Sequence, residues 1–186
     1  MDMAITPLRL FRGMAFSEVL RMQIDIETLT AEGYDFPNAE RESDEIIIIS
    51  MRDSTGWERC LSGPELSEPQ ILKEMIRLVQ ERDPDVIEGH NIFNFDLPYM
   101  QARCKRHKIK FALGRGGRIA KARSSRFSAG ERTATYQRYD IAGRHVIDTL
   151  HMVQLYDISH RDMDSYGLKS AARYFGVSAP ERTYVD

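Results

Sequence analysis

Several features that mark particular classes of protein are scarce in this chain of 186 residues. Its two cysteines, Cys60 and Cys104, lie far apart, fit no metal-ligand spacing and predict reduced thiols in an intracellular protein. Its five histidines form no helix-spaced zinc pair. The longest apolar run, from Ile46 to Ile49, is too short to span a membrane, and no basic-then-apolar signal pattern opens the chain. We therefore expect a cytoplasmic protein without a membrane partner.

The chain has no large excess of positive or negative charge, since its formal net charge is only −2. That balance excludes a globally basic nucleic-acid binder, although it leaves room for local basic patches. A hydrophobic content of 42% is enough for one well-buried core in a chain of this length. The segment from Met1 to Val19 carries apolar residues without an evident cap. We therefore expect residues 1–186 to be a single domain cut from a longer chain.

Hydrophobic periodicity predicts alternating strands and helices and therefore an α/β layered fold. Continuous isoleucines in residues 45–50 are typical of a strand that is buried on both faces. Ser67, with Pro69 and Gln70, predicts a capped helix start. The remaining predicted elements are strands at 21–28, 57–61, 86–89 and 143–147, helices at about 96–107, 149–156 and 165–175, and a hairpin at 127–141 that turns at Ala129-Gly130.

Two carboxylates leave the first predicted strand on the same face. Asp25 and Glu27 alternate with Ile24 and Ile26, and strand side chains have a period of two. Mutual repulsion makes such a pair costly unless a cation lies between its members, and hard oxygen ligands suit Mg²⁺ or Mn²⁺. An exposed acidic edge of an amphipathic strand is the alternative interpretation of the same pattern.

A second cluster of polar residues follows the strand at 86–89. The chain turns there through Asn91 and Phe95 and delivers Asp96 at the start of a helix. Asp96 could act only as a helix N-cap, and Asn91 and Phe95 could serve a turn and the core. The pattern Asn-x-x-x-Phe-Asp downstream of Asp25-Ile26-Glu27-Thr28 favours a shared site instead.

These two motifs resemble the first two exonuclease motifs of the family B DNA polymerases. The resemblance extends over nearly the whole chain, since the isoleucine strand and the segments 83–86, 143–148 and 165–168 follow in the family's order. It implies a ribonuclease-H-like mixed β-sheet flanked by helices, with an inserted β-hairpin. The implied activity is proofreading: removal of nucleotides from a single-stranded or frayed DNA 3′ end by two divalent ions, beside a polymerase module in the same parent chain. Such a substrate implies association with the nucleoid.

The resemblance also assigns roles to individual residues. Asp25, Glu27 and Asp96 would hold the two ions, Mg²⁺ or Mn²⁺, and would be the catalytic residues. Asp25 would bridge both ions. Thr28, Asn91 and Phe95 would contact the frayed strand.

A basic segment without any acid runs from Gln101 to Arg126 and contains ten Lys or Arg residues. A solvated helix face followed by a mobile loop is the ordinary explanation of such a run. Because this run follows the acidic motif directly, contact with phosphate groups is the alternative. The residues predicted to make these contacts are foremost Lys105, Arg106, Arg115 and Arg118.

The family's third motif, Tyr-x-x-x-Asp, is not found after the last predicted helix. Tyr136 and Asp140 have the spacing but fall in the hairpin, and Asp148 is better explained as a helix cap. Either the motif follows residue 186 in a longer parent chain or this protein lacks it. Two alternatives to an active exonuclease therefore stay open. One is a catalytically inactive nucleic-acid-binding module of the same fold, and the other is a different ribonuclease-H-like nuclease, such as a resolvase or an RNA hydrolase.

Overall fold

A five-stranded mixed sheet forms the centre of the computed structural model, which describes residues 15–178 except 64 and 131. The strand order is β3-β2-β1-β4-β7. Strands β1, β4 and β7 run parallel, whereas β2 and β3 are antiparallel to their neighbours. The bounds are β1 Arg21–Thr28, β2 Ile46–Asp53, β3 Glu58–Ser62, β4 Val86–Gly89 and β7 His145–Asp148.

Four α-helices and one hairpin accompany this sheet in the described part of the chain. The helices are α1 Glu68–Arg82, α2 Asp96–Arg106, α3 Thr149–His160 and α4 Leu168–Tyr174. The hairpin is a separate two-stranded sheet of β5 Lys121–Ala129 and β6 Arg132–Asp140, inserted between α2 and β7. The predicted α/β class, mixed sheet and inserted hairpin are therefore confirmed.

The hydrophobic core lies between one face of the sheet and helices α1 and α2. Met22 and Ile24 of β1 are 0% and 2% exposed, and Ile71 of α1 and Leu97 of α2 are buried with them. The opposite face of β1 carries polar side chains because the strand alternates. This division of β1 into a buried and an open face leaves the carboxylates of the first motif accessible.

Helix α1 begins as the sequence predicts. The Ser67 N–H donates to the Gln70 side chain at 2.8 Å, and the helix ends at Arg82 before Asp83, which has a left-handed φ of 48°. The helix that follows β4 also begins at the predicted residue, Asp96.

Other boundaries differ from the predictions. Ile47 and Ile48 are only half-buried, so β2 is not buried on both faces; one face of the sheet is open there. The first hairpin strand begins at Lys121 instead of residue 127, because the basic run pairs with β6 as far as Asp140. Helix α3 continues to His160, and α4 begins only at Leu168. The apolar segment at the N-terminus lies mostly outside the described residues.

Both cysteines are free thiols, with Cys60 exposed and Cys104 buried. Within the described part of the chain, no helix has the length and apolar character that crossing a membrane requires.

Candidate active site

Strand β1 presents Asp25 and Glu27 on its open face, as its alternation predicts. Both residues are exposed, whereas Ile24 and Ile26 beside them are buried. Asp25 lies opposite Ser50 of β2, and Glu27 lies opposite Ile48. The two carboxylates therefore share one surface of the sheet.

Asp96 reaches this strand from the start of α2. Its Oδ1 atom accepts a hydrogen bond from the Ile26 N–H at 3.3 Å, and the residue is only 2% exposed. Ile26 lies between Asp25 and Glu27 in sequence, and the paired part of β1 and β4 ends at Gln23. Asp96 thus takes the place beside β1 that β4 leaves free, and it brings a third carboxylate to the two on the strand.

The electrostatics of these acids show how closely they interact. Burial, and then the negative charge of Asp25, raises the pKa of Asp96 to about 7, although its backbone hydrogen bonds oppose the shift. The pKa of Asp25 is also raised, first because protein atoms displace solvent around its carboxyl group and then by Glu27, while His90 lowers it. Each carboxylate is therefore costly to ionise in the presence of the other.

A divalent cation fits this donor set. All three side chains offer hard carboxylate oxygens, which suit Mg²⁺ and Mn²⁺. Loss of solvent and the neighbouring carboxylates raise the pKa values of Asp96 and Asp25, and a bound cation would oppose both effects. Nevertheless, no three His, Cys, Asp or Glu side chains of the described residues are already arranged to hold a metal ion. Side-chain movement would have to complete any such site.

Asp148, at the end of β7, holds the loop that carries Asp96. Its Oδ1 atom accepts the N–H groups of Asn91 at 2.8 Å and Leu150 at 2.9 Å, and its Oδ2 atom accepts the Phe93 N–H at 3.3 Å. The bond to Leu150 is the predicted helix cap of α3. The two bonds to the loop were not predicted, since they join residues more than fifty positions apart.

His90 connects three parts of the chain beside Asp25. One ring nitrogen lies 3.1 Å from the Thr149 hydroxyl and the other lies 2.9 Å from the Tyr166 carbonyl oxygen. His90 was not among the predicted site residues, because nothing in the local pattern distinguishes it from a surface histidine. Its position directly after β4 was the one available signal.

The residues predicted to contact the DNA strand fall into two groups. Thr28, Asn91 and Phe95 lie close to the acids: Thr28 ends β1, and the other two belong to the loop before Asp96. Asn91 has a left-handed φ of 65°, and Phe95 packs against the core with its ring 5.5 Å from that of Tyr99.

The basic residues lie farther away. Lys105 and Arg106 are exposed at the end of α2, about 14 Å along the helix from Asp96. The Arg115 guanidinium is engaged by Asp83 and Asp85, each at 2.8 Å. Arg118 is exposed beyond that point. The structure therefore does not gather the four predicted phosphate contacts around the acids.

Comparison with known proteins identifies the family of this chain. A sequence model described as the exonuclease domain of family B DNA polymerases matches residues 12–171. The chain belongs to that family. It is 31% identical over 166 residues to a DNA polymerase of Archaeoglobus fulgidus, covering 88% of this chain, and 34% identical over 145 residues to one of Pyrococcus glycovorans, covering 74%.

The fold agrees with this membership. The structure of the family B DNA polymerase from Pyrobaculum calidifontis superposes with a TM-score of 0.64 at 25% identity over 86% of this chain. The chain spans only 18%, 17% and 18% of the lengths of these three relatives, respectively. The three polymerases are therefore much longer than this chain, which matches only one part of each.

Proposed function

We propose that this family B exonuclease domain is a metal-dependent 3′-5′ exodeoxyribonuclease that removes nucleotides from a single-stranded or frayed DNA 3′ end. The observation that carries the proposal is the hydrogen bond from the Ile26 N–H to Asp96, which brings the second motif to the strand of Asp25 and Glu27. Three carboxylates brought to one strand repel one another, and a bound cation would offset that repulsion.

Asp25, Glu27 and Asp96 would hold two divalent ions, Mg²⁺ or Mn²⁺. Bound there, such ions would supply a water of lowered pKa and would neutralise the charge that develops on the leaving 3′ oxygen. The residues of the chain provide oxygen ligands, and Asp148 keeps the Asp96 loop in place through its bonds to Asn91 and Phe93. Asp25 is central to the proposed site, so its loss should be the most harmful.

Thr28, Asn91 and Phe95 would bind the 3′ end of the DNA strand. The polar side chains are suited to the sugar and phosphate, and the Phe95 ring offers a surface for a base. Phosphates more distant from the scissile bond would meet Lys105, Arg106, Arg115 and Arg118. Arg115 would have to give up its two aspartate partners to contribute, so we expect it to be the weakest of these contacts.

A 5′-labelled single-stranded DNA tests the activity. We expect a ladder shortening from the 3′ end with Mn²⁺ or Mg²⁺, no cleavage with EDTA, and no comparable cleavage of RNA. Asp25→Ala should abolish cleavage, whereas Asn91→Ala should reduce it less. Equal losses from the two variants, or internal cuts without polarity, would contradict the proposed roles and would favour another ribonuclease-H-like nuclease.

An inactive nucleic-acid-binding module is the second candidate. The one Tyr-x-x-x-Asp pair within the described residues bears on it, because that pair is part of the hairpin. Tyr136 and Asp140, which have that spacing, lie on β6, where Asp140 pairs with Arg123 at 2.5 Å. Binding of single-stranded DNA without any metal-dependent cleavage would support this candidate.

The names and lengths of the relatives suggest what else the parent chain contains. They are named DNA polymerases and are several times longer than this chain, so we propose a polymerase module in the same parent chain. Association with the nucleoid would follow from its DNA substrate. Sequencing of the parent gene on both sides of residues 1–186 tests the first point directly.

A further inference from the structure

A cavity of about 730 Å³ lies at the end of the sheet opposite the acidic site. It is lined by the beginning of β7, where His145 pairs with Val86, whereas Asp148 at the other end of β7 pairs with Gly89 next to the acids. Three residues of strand correspond to about 10 Å. The cavity is therefore separate from the site formed by Asp25 and Asp96.

Positive charge dominates the rim of this cavity. Arg118 and Lys121 are exposed, and neither side chain has an ion pair or hydrogen bond with any residue in the described part of the chain. Arg138 lies 3.3 Å from Asp140, the one acid of the lining, but Asp140 is shared with Arg123. An anionic group would therefore meet two cations without partners and a third that is only partly neutralised.

The rim is built on a fixed turn. Gly114 and Arg118 exchange two backbone hydrogen bonds, of 2.8 and 3.2 Å. A Cβ atom at Gly114 would lie 2.9 Å from the Arg118 carbonyl oxygen, so only glycine allows this approach. Gly117 within the turn has a left-handed φ of 69°. The backbone of Arg118 is thus held in place before any ligand binds.

The walls below the rim are apolar. Ile141 is buried, Val146 is half-buried, and Ile119 at the mouth is 51% exposed although it is large and hydrophobic. The volume falls in the range of about 300 to 1,000 Å³ that is typical of small-ligand sites. A ligand that fills this cavity should combine a phosphate-like anion with a flat or apolar body.

We propose that this cavity is a second, non-catalytic site for a nucleoside phosphate, in which Arg118 and Lys121 bind the phosphate and Ile119, Ile141 and Val146 contact the nucleoside. The ligand is either a free nucleotide or one unit of a DNA strand that passes the base of the hairpin. Both present the same chemistry to the cavity. The proposal does not depend on exonuclease activity, because none of these residues lies at the acidic site. Arg118, also proposed to contact distant phosphates of the DNA substrate, would bind the same chemical group in both roles.

Nuclear magnetic resonance titration of the 186-residue chain in EDTA tests the site. Three probes are used: dTMP, inorganic phosphate, and a single-stranded oligo-dT of about ten nucleotides. We expect dTMP or oligo-dT to shift the backbone amides of Gly117, Ala142 and Val146 more than inorganic phosphate does. A response to dTMP identifies a free nucleotide as sufficient, whereas a response to oligo-dT alone identifies the strand. If none of the three probes shifts these amides, the proposal is overturned.

Variants with a matched control separate a built site from general charge attraction. Lys121→Ala, and more strongly Arg118→Ala/Lys121→Ala, should weaken binding of the responding probe by roughly tenfold, the effect of one good charge-assisted contact. Lys73→Ala removes the same charge from the exposed face of α1 and should leave the affinity unchanged. Equal losses in Lys121→Ala and Lys73→Ala would overturn the proposal. Asp25→Ala should abolish any cleavage but preserve the amide shifts, so the two proposals can fail independently.

Discussion

At the scale of single residues, Asp96 is the most informative side chain. It is nearly fully buried, it bonds to Ile26, and the negative charge of Asp25 adds to the effect of burial on its pKa. In the metal-free protein this carboxyl is therefore protonated below about pH 7, and above that pH its ionised form destabilises the fold. The same residue would be stabilised as an anion by a bound cation.

The first prediction concerns the pH dependence of stability. Because the folded pKa of Asp96 is raised to about 7, its contribution to stability is fully present below about pH 4 and is lost as the pH rises through 7. Asp96→Asn should therefore stabilise the metal-free domain at pH 8, by on the order of 2 to 4 kcal/mol, and have little effect at pH 4. Thermal unfolding in EDTA at both pH values measures this.

Asp164→Asn provides the control, because Asp164 is exposed and its side chain has no hydrogen bond or ion pair within the described residues. It should leave the melting temperature unchanged at both pH values. A melting temperature of Asp96→Asn that falls at pH 8 would mean that the carboxylate is already stabilised by groups other than a metal.

The second prediction separates two roles for Asp148. Its oxygens accept three backbone N–H groups, so we regard it as a residue that positions the Asn91–Asp96 loop. Asp148→Asn should cost about 1 to 3 kcal/mol of stability, because one buried N–H loses its acceptor. Amide hydrogen exchange at Asn91 and Phe93 should accelerate. If metal affinity instead falls as far as in Asp25→Ala while stability is unchanged, Asp148 is a metal ligand.

At the scale of elements, the hairpin is held by aromatic rings. The Phe127 ring stacks on His151 of α3 with ring centroids 3.9 Å apart, and Tyr136 lies 4.8 Å from His151 and 5.1 Å from Phe93. Phe93 belongs to the loop that Asp148 holds. The cluster therefore connects the hairpin, helix α3 and the Asp96 loop.

The third prediction is that these rings limit hairpin motion. Phe127→Ala should remove about 1 kcal/mol of ring stacking and increase the mobility of residues 121–140, measured by nitrogen-15 relaxation and hydrogen exchange. Thr135→Ala, an exposed position on the same hairpin, is the matched control and should change neither. From the sequence we expect high mobility in the free domain. Equal, high mobility in the wild type and in Phe127→Ala would favour that expectation over ring anchoring.

At the scale of the whole molecule, the fold divides the basic segment. Arg103 is fully buried, where its guanidinium bonds to both Glu68 oxygens at 2.7 Å and to backbone carbonyls of residues 39, 41 and 42. Arg115 is bound by two aspartates, whereas Lys105 and Lys110 remain exposed. Only part of the run is therefore available to phosphate groups.

The fourth prediction follows from this division. Lys105→Ala/Lys110→Ala should weaken binding of single-stranded DNA and should flatten the dependence of log affinity on log salt by about 1.4, because each lost phosphate contact contributes about 0.7. Lys73→Ala/Lys169→Ala, outside the run, should leave the slope unchanged. An unchanged slope in the first variant would assign these lysines to solubility.

The fifth prediction concerns the choice of metal. Mg²⁺ keeps its waters and demands near-ideal geometry, whereas the three proposed ligands are not preassembled in the described part of the protein. The isolated 186-residue chain should therefore cleave single-stranded DNA slowly, and faster with Mn²⁺ than with Mg²⁺. Equal, fast rates with both ions would show that a residue within the chain already completes the site.

Much of this protein was determined by its sequence. Strand alternation placed Asp25 and Glu27 on one face, capping signals located the start of α1, and the order of the motifs identified the family, because each depends on neighbours in the chain. Only the tertiary structure decided what Asp148 and His90 contact, which cations of the basic segment are buried, and where the basic cavity lies. Those features join residues dozens of positions apart, and local patterns carry no information about which distant groups will meet in the folded chain.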